Sequence, residues 1–118
     1  MNTVNPRWCV LIPCLNEEAA IQSVVESVLA LGAPVIVIDD GSDDRTPEIV
    51  ATLPVTLLRH EQRKGKGEAL RHGFREAMKL GYDAVLTRDG DGQHRAADIP
   101  QIVAAAAKYP QHIVIGAR

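Results

Sequence analysis

The sequence predicts an α/β domain: an open, mainly parallel sheet with helices on both faces. Three observations predict it. Short apolar runs alternate with amphipathic stretches of helical period, as in successive strand–helix–strand units. The runs are apolar throughout rather than alternating, the mark of strands covered on both sides. The 118 residues, 46% hydrophobic and 24% charged, suit one folded domain spanning 1–118.

The elements follow in order. Cys9-Val10-Leu11-Ile12 is the first strand. Asn16 can cap a helix, with Glu17 and Glu18 in its first turn. Ile21, Val24, Val25, Val28 and Leu29 form its stripe and Gly32 ends it. Val35 to Ile38 is the second strand, and Asp39-Asp40-Gly41-Ser42 a turn. Thr46 as cap and Pro47 as first helical residue open a short helix to about Leu53, with Asp43 and Asp44 at its start. Val55 to Leu58 is the third strand. Gly65-Lys66-Gly67 opens a helix with the stripe Leu70, Phe74, Ala77 and Met78, in which Gly73 permits close packing and Gly81 is the stop. Ala84 to Thr87 is the fourth strand. Ile99, Ile102, Val103, Ala106 and Ala107 mark a last helix, and His112 to Ile115 a fifth strand.

Composition narrows the function. A net charge of −2 and 3% aromatic residues give neither the basic surface nor the stacking platform of a nucleic-acid binder. No apolar run reaches the ~20 residues of a membrane span, and residues 1–7 lack the pattern of a secretory signal. Cys9 and Cys14 share one strand, ~16 Å apart when extended, too far for a disulfide. They read as reduced, small hydrophobes of a cytoplasmic protein.

The polar clusters fall at the carboxyl ends of the strands, where open α/β sheets bind ligands. These are Asn16-Glu17, Asp39-Asp40, His60 to Lys66 and Asp89 to His94. In Asp89-Gly90-Asp91, alternate residues of an extended segment point the same way, about 6.5 Å apart. Two such carboxylates can share Mg²⁺ or Mn²⁺, which all-oxygen ligation favours, and Gly90 lets a ligand approach the backbone. Gln93 and His94 can add contacts, whereas a solvated Asp-Gly turn is the plain alternative. Asp39 and Asp40 can accept from ribose hydroxyls or a base N–H, or serve the next helix start. Arg63-Lys64-Gly65-Lys66-Gly67 suits phosphate but lacks the spacing of a phosphate loop, and a solvated basic turn fits it as well. No Gly-x-Gly-x-x-Gly follows the first strand, against a dinucleotide-binding dehydrogenase. His72 and His112 read as surface or structural, Trp8 and Tyr109 as packing. Arg88 pairs with a carboxylate or marks an exposed edge.

Taken together, Ile12-Pro13-Cys14-Leu15-Asn16-Glu17, Val37-Ile38-Asp39-Asp40-Gly41-Ser42, Lys64-Gly65-Lys66-Gly67 and Asp89-Gly90-Asp91-Gly92-Gln93-His94 resemble family 2 of the nucleotide-sugar glycosyltransferases. Within it the chain is most similar to the branch of polyprenyl-phosphate (dolichol-phosphate-type) mannosyl- and glucosyltransferases. The resemblance implies a GT-A, Rossmann-like fold and an inverting, metal-dependent transfer from a UDP- or GDP-linked sugar to an acceptor such as a polyprenyl phosphate. It implies a donor site of Pro13, Leu15, Asn16, Glu17, Asp39, Asp40, Lys66, Asp89, Gly90 and Arg118. Asp89, Asp91 and Gln93 would hold Mg²⁺ or Mn²⁺.

The family usually carries Asp-Ala-Asp where this chain has Asp89-Gly90-Asp91. Its members continue past the fifth strand into the acceptor site and the catalytic base, so this sequence reads as the donor-binding half and no residue in it is nominated as base. The expected setting is cytoplasmic, with the cytoplasmic face of a membrane as one place for it. A homo-oligomer is a further expectation, through the flank where the other half docks.

Two rivals come from other classes. A phosphoacceptor receiver domain would use Asp39-Asp40 as its acidic pair and Asp89 as the phosphorylated residue. Its acidic pair, however, follows the first strand, and no Lys ends the last strand here. A metal-dependent topoisomerase-primase-type nucleic-acid domain would use Glu17 with Asp89 and Asp91, against which stand the near-neutral charge and the Asp39-Asp40 cluster.

Overall fold

A computed structural model describes residues 7–88. The expected last helix and fifth strand lie outside the described residues, as do Asp89, Gly90, Asp91, Gln93, His94 and Arg118. Seven elements run in the order β1 (Trp8–Cys14), α1 (Ile21–Leu29), β2 (Val35–Asp39), α2 (Thr46–Ala51), β3 (Thr56–Arg59), α3 (Lys66–Lys79) and β4 (Ala84–Thr87). The described sheet has the order β3-β2-β1-β4 and every pairing is parallel. In a receiver domain β1 lies between β2 and β3. Here β3 lies outside β2, so the receiver reading is corrected by topology.

The two faces bury different residues, as strand alternation requires. Val10, Ile12, Val35, Val37 and Leu86 meet Ile21, Val24, Val25 and Val28 of α1 and Val50 of α2. Cys9, Leu11, Ile36, Ile38 and Val85 meet Ala69 and Ala77 of α3 on the other face. Each fully buried Ile or Val contributes about 1.5–3 kcal/mol relative to exposure. This arrangement follows from right-handed crossovers, since β1 to β3 progress one way across the sheet and α3 carries the chain back to the far side of β1. The order in which strands are added therefore reverses between β1 and β4, the switch point of a doubly wound sheet.

Three local expectations are corrected. Asn16 does not cap α1: the helix begins at Ile21, after a turn in which Glu17 O accepts from the Ala20 and Ile21 N–H groups, so Glu17 and Glu18 precede its first turn. The buried stripe of α3 is Ala69, Gly73 and Ala77, while Met78 is 61% exposed and Leu70 and Phe74 are half-buried. Arg88 is buried rather than on an exposed edge. The small-residue ridge brings α3 close to the sheet. A Cβ on Gly73 would lie 2.8 Å from Ile38 Cδ1 and 3.0 Å from Leu11 Cδ1. Gly73→Val is therefore expected to lose about 2 kcal/mol by overpacking, read as a lower urea midpoint at unchanged m-value.

Candidate functional site

Four chain segments meet at the carboxyl edge of the sheet. Cys14 pairs with Asp39, Asp40 N–H donates to Cys14 O, His60 N–H donates to Asp39 O, and Arg88 N–H donates to Leu11 O. The last contact seats the end of β4 against β1, and Asp89 follows directly in sequence.

The β1–α1 and β2–α2 loops are stitched together by side chains. Asn16 adopts φ +54°, a left-handed conformation that Asn tolerates. Its N–H donates to Ser42 Oγ at 2.8 Å and its Oδ1 accepts from the Asp43 N–H at 2.8 Å. Glu17 N–H donates to Thr46 Oγ1 at 2.9 Å. Asp44 accepts from both the N–H and the hydroxyl of Thr46 and from the Glu18 N–H, which is the helix-start role expected of it. Pro13 is buried and Leu15 and Glu17 are half-buried beside this brace, while Asn16 is exposed.

Asp39 and Asp40 are both buried, 0% and 5% exposed, and alternation along β2 sends them to opposite faces. Asp39 follows Val35 and Val37 toward α1 and α2. Its Oδ1 accepts from the Ser42 hydroxyl. Its Oδ2 has no hydrogen-bond partner among the described residues, and the nearest cation, Arg59 Nε, stands 3.6 Å away on a half-exposed side chain. A buried carboxylate oxygen without a donor costs about 1–3 kcal/mol.

Asp40 follows Ile36 and Ile38 toward α3. Its Oδ1 accepts from His60 Nδ1 at 2.8 Å and from the Lys64 N–H at 2.9 Å, and its Oδ2 from the Gly65 N–H at 2.9 Å. Burial raises its pKa, but the bonds from His60, Lys64 and Gly65 and the His60 charge outweigh that and hold the carboxyl below its usual range. Asp40 thus fastens the turn that leads into α3, where Lys66 stands exposed at the first position.

His60 Nε2 lies 2.9 Å from His72 Nδ1, with the two ring planes 5° from parallel and their centroids 5.1 Å apart. Sequence reasoning gave His60 no individual role and set His72 aside as surface or structural. Their 12-residue separation carries no local signal. Cys9 and Cys14 are free and buried. Burial pushes the Cys9 thiol up to about 12, and burial together with the Asp39, Glu17, Asp44 and Asp40 charges pushes Cys14 up as well, so both stay protonated. Among the described residues no group of three or more His, Cys, Asp or Glu could hold a metal.

Fold and edge together define an α/β domain with an acidic edge at a switch point, the GT-A arrangement. The chain belongs to glycosyl transferase family 2, whose model matches residues 9–118. It is 32% identical to a UDP-N-acetylglucosamine–dolichyl-phosphate N-acetylglucosaminyltransferase of Methanococcus voltae, over 92% of this chain and 50% of that protein. It is 32% identical to a dolichol-phosphate mannosyltransferase of Pyrococcus furiosus, over 92% of this chain and 32% of that protein. The fold superposes on glucosyl-3-phosphoglycerate synthase of Mycobacterium tuberculosis, solved with Mn²⁺, UDP and glucosyl-3-phosphoglycerate. The TM-score is 0.70 at 29% identity, covering 86% of this chain and 40% of that one. The chain spans half or less of the length of each of these proteins.

Proposed function

We propose that this chain is the donor-binding part of an inverting, metal-dependent glycosyltransferase that moves a sugar from a UDP- or GDP-linked donor to a polyprenyl phosphate. The observation that carries it is the buried, donorless Oδ2 of Asp39 at the carboxyl edge. A base N–H or a ribose hydroxyl satisfies that oxygen, and none of the described groups does. The relatives named for dolichyl-phosphate transfer support the acceptor class, and the neighbour bound to Mn²⁺ and UDP supports the cofactor and donor.

Pro13 and Leu15 offer apolar surface to the base, with Asn16 and Glu17 beside them on the braced loop. Asp39 accepts from the nucleoside, and Asp40 holds the turn that sets Lys66 at the start of α3. Asp89, Asp91 and Gln93 would supply the all-oxygen donor set that suits Mg²⁺ or Mn²⁺, and by the family resemblance Gly90 and Arg118 belong to the donor site as well. The bound cation would offset the charge developing on the departing diphosphate. In the transfer an acceptor oxygen bonds to the anomeric carbon as the bond from that carbon to the diphosphate oxygen breaks, and the nucleoside diphosphate leaves with the electron pair. Among the described residues no helix is long and apolar enough to cross a membrane. Contact with a lipid-linked acceptor at the cytoplasmic face is part of the proposal.

Thermal unfolding tests this reading. With Mn²⁺ and UDP or GDP at one hundred times Kd, stabilisation of about 2.7 kcal/mol is expected, a rise on the order of 10 °C. Asp91→Ala should erase the rise. No nucleotide-dependent rise in the unaltered chain, or an undiminished rise in Asp91→Ala, overturns the proposal.

A further inference from the structure

The Asp40–His60–His72 chain is buried at one end and open at the other. Asp40 and His60 are 5% and 6% exposed, and His60 and the half-buried His72 both line a cavity of about 480 Å³ with Arg59, Glu61, Lys64, Glu68 and Arg75. Among the described residues, none of those expected around the nucleotide lines it. Gly73, the neighbour of His72, lets α3 approach Ile38 and Leu11 closely. We propose that Asp40, His60 and His72 form a proton-responsive positioning relay that sets the Lys64–Gly65 turn, with His72 as the point where the proton enters from the cavity. It deepens the donor-site reading, since that turn carries Lys66, but its first test does not depend on that reading.

Hydrogen-bond polarity follows from Asp40. An ionised carboxylate only accepts, so His60 Nδ1 carries hydrogen. Neutral His60 then presents a bare Nε2, and His72 Nδ1 must donate to it. This leaves His72 Nε2 as the one basic nitrogen of the chain. A proton taken up there lets His72 pass its Nδ1 hydrogen to His60 Nε2. Proton count balances: one proton enters from solvent, His72 ends neutral as the Nε2–H tautomer, and the positive charge rests on His60 beside Asp40. Asp40 Oδ1 is shared between His60 Nδ1 and the Lys64 N–H. A charged His60 draws on that oxygen, and the bond to Lys64 weakens.

The surroundings set the direction. Burial, then the charges of His60 and Arg75, lower the His72 pKa, and Lys64 adds to this while Glu76 opposes it. Asp40 on β2, Arg59 on β3, Glu61 on the loop and Glu68 on α3 are the other charged groups at the chain and cavity. His72 itself is therefore held below the usual histidine value of about 6.5. The turn is firmest above that pH and loosens as pH falls.

Amide and imidazole NMR of the ligand-free chain from pH 8 to pH 5 tests the relay. The Lys64 and Gly65 amides are expected to shift with one midpoint shared with the His72 ring. His72→Asn keeps a donor toward His60 but cannot carry the proton, and it should abolish that midpoint in a folded spectrum. Amides that ignore the His72 midpoint in the unaltered chain, or that keep it in His72→Asn, overturn the relay. The first comparison needs no variant to fold. In a second arm, UDP affinity with Mn²⁺ should fall about fivefold more between pH 7.5 and 5.5 in the unaltered chain than in His72→Asn, at the low end of common coupling. The variant carries the nucleotide's own phosphate titration, so parallel profiles overturn the coupling. No UDP binding at any pH overturns the donor reading, and the amide titration then decides the relay alone.

Discussion

Asp39→Asn is expected to weaken UDP binding about 10- to 100-fold, the loss of one hydrogen bond to a charged acceptor, with little change in melting temperature. The substitution keeps shape and volume. Its orientation is set by Ser42, whose Oγ already accepts from the Asn16 N–H and donates toward residue 39. An amide NH₂ turned toward Ser42 would leave the serine hydroxyl hydrogen without its acceptor. The Asn oxygen therefore takes the place of Oδ1, and the NH₂ takes the place of Oδ2. A donor then faces the ligand's own donor. The folded chain loses only the 3.6 Å approach to Arg59, whose side chain is 58% exposed and contributes little. Titration calorimetry of UDP with Mn²⁺ beside thermal unfolding separates the two effects. Unchanged affinity would remove Asp39 from the site.

Most of this fold is legible along the chain because its strands are buried on both faces. Val35-Ile36-Val37-Ile38 and Ala84-Val85-Leu86 stand out as unbroken apolar runs, and α1 shows its stripe outright. Gly32 and Gly81 mark helix ends with φ of +81° and +86°. The start of α1 was not legible. Asn16 has the composition of a cap, but its partners Ser42 and Asp43 lie 26 and 27 residues away, and no local pattern contains them. The face of α3 was misread for another reason. A hydrophobic stripe selects large residues, whereas the sheet is met by Ala69, Gly73 and Ala77, which are small enough to let the helix in.

The acidic pair shows both sides. Two acids ending an apolar strand are recognisable along the chain as costly unless they find partners. Their division of labour follows from alternation along β2, one to each face of the sheet. The partner of Asp40 was beyond sequence reach, because His60 and His72 become neighbours only when α3 packs back across β2.

Gly41→Ala should be the most damaging single methyl in this part of the chain, at about 2–4 kcal/mol from backbone strain and overpacking together. Gly41 sits at φ +85°, where an L residue is strained. A Cβ there would lie 2.9 Å from Arg63 N, 3.2 Å from the Gln62 carbonyl carbon and 3.3 Å from Arg63 Cα. All three are backbone atoms, so no rotamer relieves the clash and residues 62–63 must move. Lys64 and Gly65 follow immediately, and their N–H groups are the ones that Asp40 holds. The damage should therefore appear in urea unfolding and as faster hydrogen exchange at Lys64 and Gly65. Gly32→Ala is the matched control, with φ +81° but nothing within 4 Å of the added carbon. It carries the conformational cost alone, about 1–2 kcal/mol. Equal losses at the two positions would mean that the contact of Gly41 with the 62–63 backbone costs nothing, and that the turn is not clamped between Gly41 and Asp40.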